Sequence, residues 1–163
     1  MSKELEEAGN SIKFIIMKDK KAFIVFITTL LIIIIDQLTK LIISKNISIN
    51  YSIPVIKNIF HITYIQNMGA GFGLFQGQQF ILIWISIIVI GIIFYYYDKL
   101  PANKSIYLSI GLILSGTISN LIDRIRLNYV VDFIDFRIWP AFNIADSCIT
   151  VGAILLIVYL IKK

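Results

Sequence analysis

Cysteine and histidine, which carry much of enzyme chemistry, are almost missing from this chain. A single cysteine, Cys148, excludes an internal disulfide framework and any paired-cysteine redox or zinc motif. A single histidine, His61, with no His-Glu-x-x-His spacing, argues against a metalloprotease. Charge is scarce too, at 15% of 163 residues, where a soluble domain carries about a quarter. Apolar residues make up 58% and the mean hydropathy is +0.84, so the chain reads as an integral membrane protein. Its length allows one compact domain and no separate soluble catalytic module. The net charge of +5 is spread over chain ends and loops, which reads as membrane topology and not as nucleic-acid binding.

Four apolar stretches have the length a bilayer needs, at about 1.5 Å per helical residue across about 30 Å of hydrocarbon. The first runs from Ala22 to about Ile43 and carries Asp36, Gln37 and Lys40 in its last third. The others run from Phe80 to Tyr97, Ser105 to Ile122 and about Phe142 to Ile161. An even number of spans puts Lys3, Lys13, Lys18, Lys20, Lys21, Lys99, Lys104, Lys162 and Lys163 on one side. Lys45, Lys57, Arg124, Arg126 and Arg137 face the other, so the positive-inside bias places both termini in the cytoplasm. The first span is too long for a cleaved signal, and Asp-Gln-Leu-Thr-Lys stands where a small-residue cleavage site should be. Residues 1–21 thus read as a polar cytoplasmic or interfacial N-terminal segment, and residues 22–163 as the membrane domain.

The connection over about residues 46–79 is too long for a turn. Ile47, Ile49, Tyr51 and Ile53 alternate with polar residues, and Phe60, Ile62 and Tyr64 alternate with His61 and Thr63, a period of two that predicts strands. Asn67-Met68-Gly69-Ala70-Gly71-Phe72-Gly73 supplies a glycine-rich turn. The expected fold is an α-helical membrane protein with four transmembrane helices and a small extracytoplasmic β element.

Topology gathers the polar membrane-edge residues on one side: Asp36 and Lys40, then Asn120, Asp123 and Arg124, then Asp132, then Asn143 and Asp146. Such groups are expensive at a bilayer edge and need a reason. Each has a structural reading. Asp36 and Lys40, four apart with the acid first, suit an intrahelical ion pair. Asp123 could cap the third span, Asp135 and Arg137 read as solvated loop charges, and His61 as surface or interface. Ser147 reads as a helix-start residue and Cys148 as span packing. Singly, Asp132 and Asp146 would be caps of an outer loop. As a pair among asparagines and an arginine on one face, they point to acid/base chemistry.

At these residues the chain resembles the lipoprotein signal peptidases (signal peptidase II), bacterial membrane aspartyl proteases. The matching strings are Asp36-Gln37-Leu38-Thr39-Lys40, Asn67 to Gly73, Ser119-Asn120-Leu121-Ile122-Asp123-Arg124, Val130-Val131-Asp132-Phe133 and Phe142-Asn143-Ile144-Ala145-Asp146-Ser147. The resemblance implies that Asp132 and Asp146 are a catalytic dyad and that Asn67, Gly69, Asn120, Arg124 and Asn143 serve the site and its substrate. It implies supporting roles for Asp36, Lys40 and Asp123, and a β-cradle with a mobile loop over about residues 46–79. The implied substrate is a prolipoprotein whose lipobox cysteine carries a diacylglyceryl group, cut just before that cysteine. It implies no metal or organic cofactor, membrane lipid as a partner, and a monomer in the bacterial cytoplasmic membrane with its site near the outer face. Ser115-Gly116 stands where the family usually has two glycines, and Ser119 where a glycine often precedes the motif asparagine; all are small enough for close helix approach. A presenilin-like intramembrane protease would need a Gly-x-Gly-Asp string, and none is present. An ion-coupled transporter would place its acids nearer the midplane, with repeats or broken spans.

Overall fold

Inside hydrocarbon a backbone must pair its own N–H and C=O groups, so each apolar stretch closes into a helix. The computed structural model describes residues 2–71, 74–101 and 103–162, with side chains from Lys20 onward. Phe72, Gly73 and Lys163, and the side chains of Lys3, Lys13 and Lys18, lie outside the described residues. Helix α1 covers Ser2–Asn46, α2 Gln79–Tyr96, α3 Lys104–Leu127 and α4 Ile144–Ile161. The parts long and apolar enough to cross a membrane are Lys20–Asn46, Gln79–Lys99, Lys104–Leu127 and Ile144–Ile161. α1 is continuous through residue 21, so the polar N-terminal stretch prolongs the helix of the first span.

Helix α3 runs more than a turn beyond its expected end at Ile122. Asn128, in the left-handed conformation, closes it, so Asp123 lies inside the helix and does not cap it. α3 is the most buried span and packs against α1, α2 and α4, while the other three turn most of their surface outward. Small residues make that central position possible. A β-carbon on Gly116 would lie 2.3 Å from the Ala145 carbonyl oxygen and 2.6 Å from Ile149 Cγ1. An apolar core of Val25, Ile93, Ile106, Tyr107, Ile110 and Leu114 closes the half of the bundle nearer the start of the first span.

The β element is a three-stranded antiparallel sheet in the order β1 (Ser52–Ile56), β2 (Phe60–Asn67), β3 (Val130–Asp135). Residues 47–51 form a turn and not the start of a strand: Ile47 still donates to Ile43 O, and Asn50 takes a positive φ. β3 escapes the period-two search because five of its six residues are buried, giving an unbroken run instead of alternation. Asp132 therefore sits in a strand, paired with Ile65 of β2, and not in a loop. Ile43, Ile47, Tyr64, Val131 and Phe133 form the apolar seam that fixes the sheet to the end of α1.

One further expectation is corrected at the far end of this sheet: Asp135 is buried, at 7% exposure, instead of lying in a solvated loop, and of the two readings of His61 its 8% exposure leaves the interface and not the surface. Asp135 accepts from Thr63 Oγ1 at 2.7 Å and from the Arg137 backbone N–H at 2.9 Å, and pairs with the Arg137 guanidinium at 3.3 Å. His61 Nδ1 lies 2.9 Å from Ser52 Oγ and 3.1 Å from Arg137 Nη2.

Candidate active site

The C-terminal ends of α1 and α3, the start of α4 and strand β3 meet in one polar cluster. Its floor is Lys40, 3% exposed, whose ammonium has three acceptors: Asp36 Oδ2 at 2.7 Å, Asp123 Oδ2 at 2.8 Å and Asn120 Oδ1 at 2.9 Å. Buried charges persist only when paired and fully hydrogen-bonded, and these are. Asp36 also accepts from Ser119 Oγ at 2.6 Å and from the Ala145 backbone N–H at 2.9 Å. Asp123 accepts from Gln37 Nε2 at 2.8 Å and from the Val131 backbone N–H at 3.3 Å. The two carboxylates thereby tie α1 and α3 to the start of α4 and to β3. Gln37 further donates to Ser119 Oγ at 3.0 Å. Sequence reasoning gave Gln37 no role and read Ser119 only as small. The available signal was the cost of a glutamine inside a span, one residue after Asp36.

Above this floor three asparagines present their amide groups to Asp132 and Asp146. Asn67 Nδ2 donates to Asp132 Oδ2 at 2.8 Å, while its oxygen accepts from the Gly69 N–H at 2.8 Å. Asn143 Nδ2 donates to Asp132 Oδ1 at 2.7 Å, while its oxygen accepts from the Asp146 N–H at 2.8 Å. Asn120 Nδ2 donates to Asp146 Oδ1 at 2.8 Å, while its oxygen accepts from Lys40. In each, a donor on the oxygen fixes which end of the amide meets the carboxylate. Asn143 is also the N-cap of α4, in a capping box with Asp146, whose Oδ2 accepts from the Asn143 N–H at 3.3 Å. Ser147 Oγ donates to Asn143 O at 2.9 Å, the helix-start role expected of it.

Asp132 is 1% exposed, and Asp146 is half-buried. Burial, and then the nearby Asp146 charge, push the Asp132 carboxyl up to about 7 against the opposing pull of Asn67 and Asn143. Both aspartates line one cavity of about 780 Å³, together with Asn67, Gly69, Arg124 and Trp139. Arg124 reaches Gly69 O through Nη2 at a long 3.4 Å, and its buried Nε has no partner among the described residues. All the singled-out site residues thus fall in or directly beneath this cavity. Among the described residues no three His, Cys, Asp or Glu side chains gather as a metal set.

The family model described as signal peptidase (SPase) II matches residues 28–162. The chain is similar to a lipoprotein signal peptidase of Halothermothrix orenii, 48% identical over 136 residues, which spans 83% of this chain and 94% of the relative. A lipoprotein signal peptidase of Moorella thermoacetica is 46% identical over 128 residues, covering 78% and 85% of the two chains. A solved bacterial membrane enzyme, determined by the in meso method, superposes with a TM-score of 0.81 at 36% identity, covering 85% of this chain and 87% of that one. With the family model covering most of the chain and relatives matched along nearly their whole length, the chain belongs to the signal peptidase II family.

Proposed function

We propose that this protein is a membrane aspartyl endopeptidase that removes signal peptides from diacylglyceryl-modified prolipoproteins, cutting just before the lipidated cysteine. The carrying observation is the pair of carboxylates facing one cavity, each aimed by asparagine amides, where the sheet meets one end of the apolar helices. A site there suits a substrate whose acyl chains and signal helix stay in lipid while its scissile bond reaches the polar edge. The lysine distribution supports both termini in the cytoplasm and the site near the outer face of the bacterial cytoplasmic membrane. One chain supplies every group the reading uses.

Asp146 stands at the third position of α4, where helix N–H groups favour negative charge, so it is the ionised partner. Asp132, near 7, keeps its proton at mildly acidic pH and begins to lose it around neutrality. Asp146 takes a proton from a water as the water oxygen attacks the scissile carbonyl carbon, and Asp132 donates to the carbonyl oxygen. In the collapse Asp146 returns its proton to the departing nitrogen, the C–N bond breaks, and Asp132 regains its own. The products are a signal-peptide carboxyl and a free amine on the lipidated cysteine. Arg124, which lines the cavity, holds a substrate carbonyl at its wall through the guanidinium.

The test is cleavage by the purified protein of one prolipoprotein with and without its diacylglyceryl group, read by mass spectrometry. Cleavage before the cysteine in the lipidated form alone supports the reading; equal cleavage of both forms, or a cut elsewhere, removes it. Asn67 offers a second check. Its hydrogen bond favours ionised Asp132, so Asn67→Leu raises the Asp132 pKa further, and Asp132 stays protonated to higher pH. The basic limb of the kcat/KM profile is expected to move upward in Asn67→Leu; a downward move or none contradicts the acid role of Asp132.

A further inference from the structure

Lys40 has two buried carboxylates within 2.8 Å, which already neutralise it. Its third hydrogen goes elsewhere, to the oxygen of the neutral amide Asn120 at 2.9 Å. The other end of that amide meets Asp146 Oδ1 at 2.8 Å. We propose that Lys40 is a positioning residue for the dyad: by holding the Asn120 oxygen it aims the amide at Asp146 and sets its positive charge two hydrogen bonds from that carboxylate. The inference rests on the dyad reading and assigns a regulator to one of its members.

Without Lys40, the Asn120 oxygen keeps only Asn143 Nδ2 at 3.3 Å, a group already committed to Asp132 at 2.7 Å. The flipped amide, which would set oxygen against oxygen at Asp146, then loses its main penalty. The other two aiming asparagines are held by backbone N–H groups, at Gly69 and Asp146, so only Asn120 depends on a side-chain cation. A hydrogen-bonded chain in a low-dielectric site also passes polarisation along its length. The charged groups facing Asp146 are Asp132 on β3, Asp36 and Lys40 on α1, and Arg124 on α3, with Asp123 beyond Lys40. Lys40 and Arg124 are the cations of this group, and Lys40 is the one linked to Asp146 through an amide.

Lys40→Met alone strands two buried carboxylates, so the informative variant is Lys40→Met with Asp36→Asn, which leaves the cluster one net negative charge as before. Asn120→Ala is the companion: it keeps both Lys40 ion pairs and removes the amide between Lys40 and Asp146, together with its weaker bond from Asn143 at 3.3 Å. Each is purified, checked by thermal unfolding, and assayed for kcat and KM on lipidated prolipoprotein from pH 4 to 9. We expect kcat to fall at least tenfold with KM little changed, and the acid limb to move up by about one pH unit, a tenfold change in protonation equilibrium. The combined variant should shift no further, since both changes break one link. An acid limb left in place in Asn120→Ala, or in the folded Lys40→Met/Asp36→Asn protein, overturns the proposal. If the lysine variant does not fold, an acid limb left in place in Asn120→Ala still overturns the proposal. Failure of the dyad reading would look different: Asp132→Asn or Asp146→Asn would keep turnover.

Discussion

Gly116→Ala is expected to destabilise the protein and to silence it, although it adds one methyl group. The new carbon would fall 2.3 Å from the Ala145 carbonyl oxygen and 2.6 Å from Ile149 Cγ1. The first obstacle is backbone and cannot rotate away, so α3 and α4 must separate. Overpacking of this kind costs about 1–3 kcal/mol, and for a chain of this size each kcal/mol lowers the melting temperature by roughly 2–4 °C. The damage is not confined to packing. Ala145 donates its N–H to Asp36 and directly precedes Asp146, so any separation moves a dyad carboxylate away from Asn120. Gly91 is the control: nothing lies within 4 Å of a carbon added there, so Gly91→Ala should leave both melting temperature and turnover unchanged. Thermal unfolding in detergent and cleavage assays on the two variants check this. Equal behaviour of the pair would mean that helix contact at Gly116 is looser than described.

Asp132→Asn and Asp146→Asn are each expected to remove turnover. An acid or base step contributes about 10²–10⁴-fold, and in a dyad each member serves both the attack and the collapse. A loss of at least about 10³-fold in kcat is therefore expected for either variant, approaching background. Substrate affinity should survive, because the apolar cavity and the Arg124 donors are untouched. The Asp146 variant also weakens the capping box, worth about 1 kcal/mol, so its melting temperature should fall slightly. Single-turnover cleavage with both proteins confirmed as folded is the measurement. A folded variant with turnover within tenfold of the original would remove its aspartate from the chemistry.

Much of this arrangement is legible in the residues. The four spans are long and apolar, the strongest signal a sequence carries. Asn143 and Asp146, three apart ahead of an apolar run, already have the form of a helix start that faces both side chains one way. Less legible is whatever depends on the sheet. β3 is buried on both faces, so Val130 to Asp135 shows no alternation, and the strand that carries Asp132 was invisible as a strand. The same burial hides His61 and Asp135, whose partners Ser52, Thr63 and Arg137 come from three separate segments. Lys40 illustrates a different limit. Its spacing from Asp36 marks an ion pair, but the bonds to Asp123 and Asn120 exist only once α1 lies against α3. The contributions of Gln37 and Ser119 become visible at the same moment, because neither has a partner nearby in sequence.

The most direct test of the paired-carboxylate account is the pH dependence of kcat/KM for the unaltered protein on lipidated prolipoprotein, from pH 4 to 9. A dyad with one proton gives a bell. The basic limb should lie near 7, where Asp132 loses its proton, and the acid limb should mark protonation of its partner. A rate that stays level from pH 5 to 9, or that rises steadily through pH 7 to 9, would contradict a shared proton and with it the assignment of Asp132 as the acid.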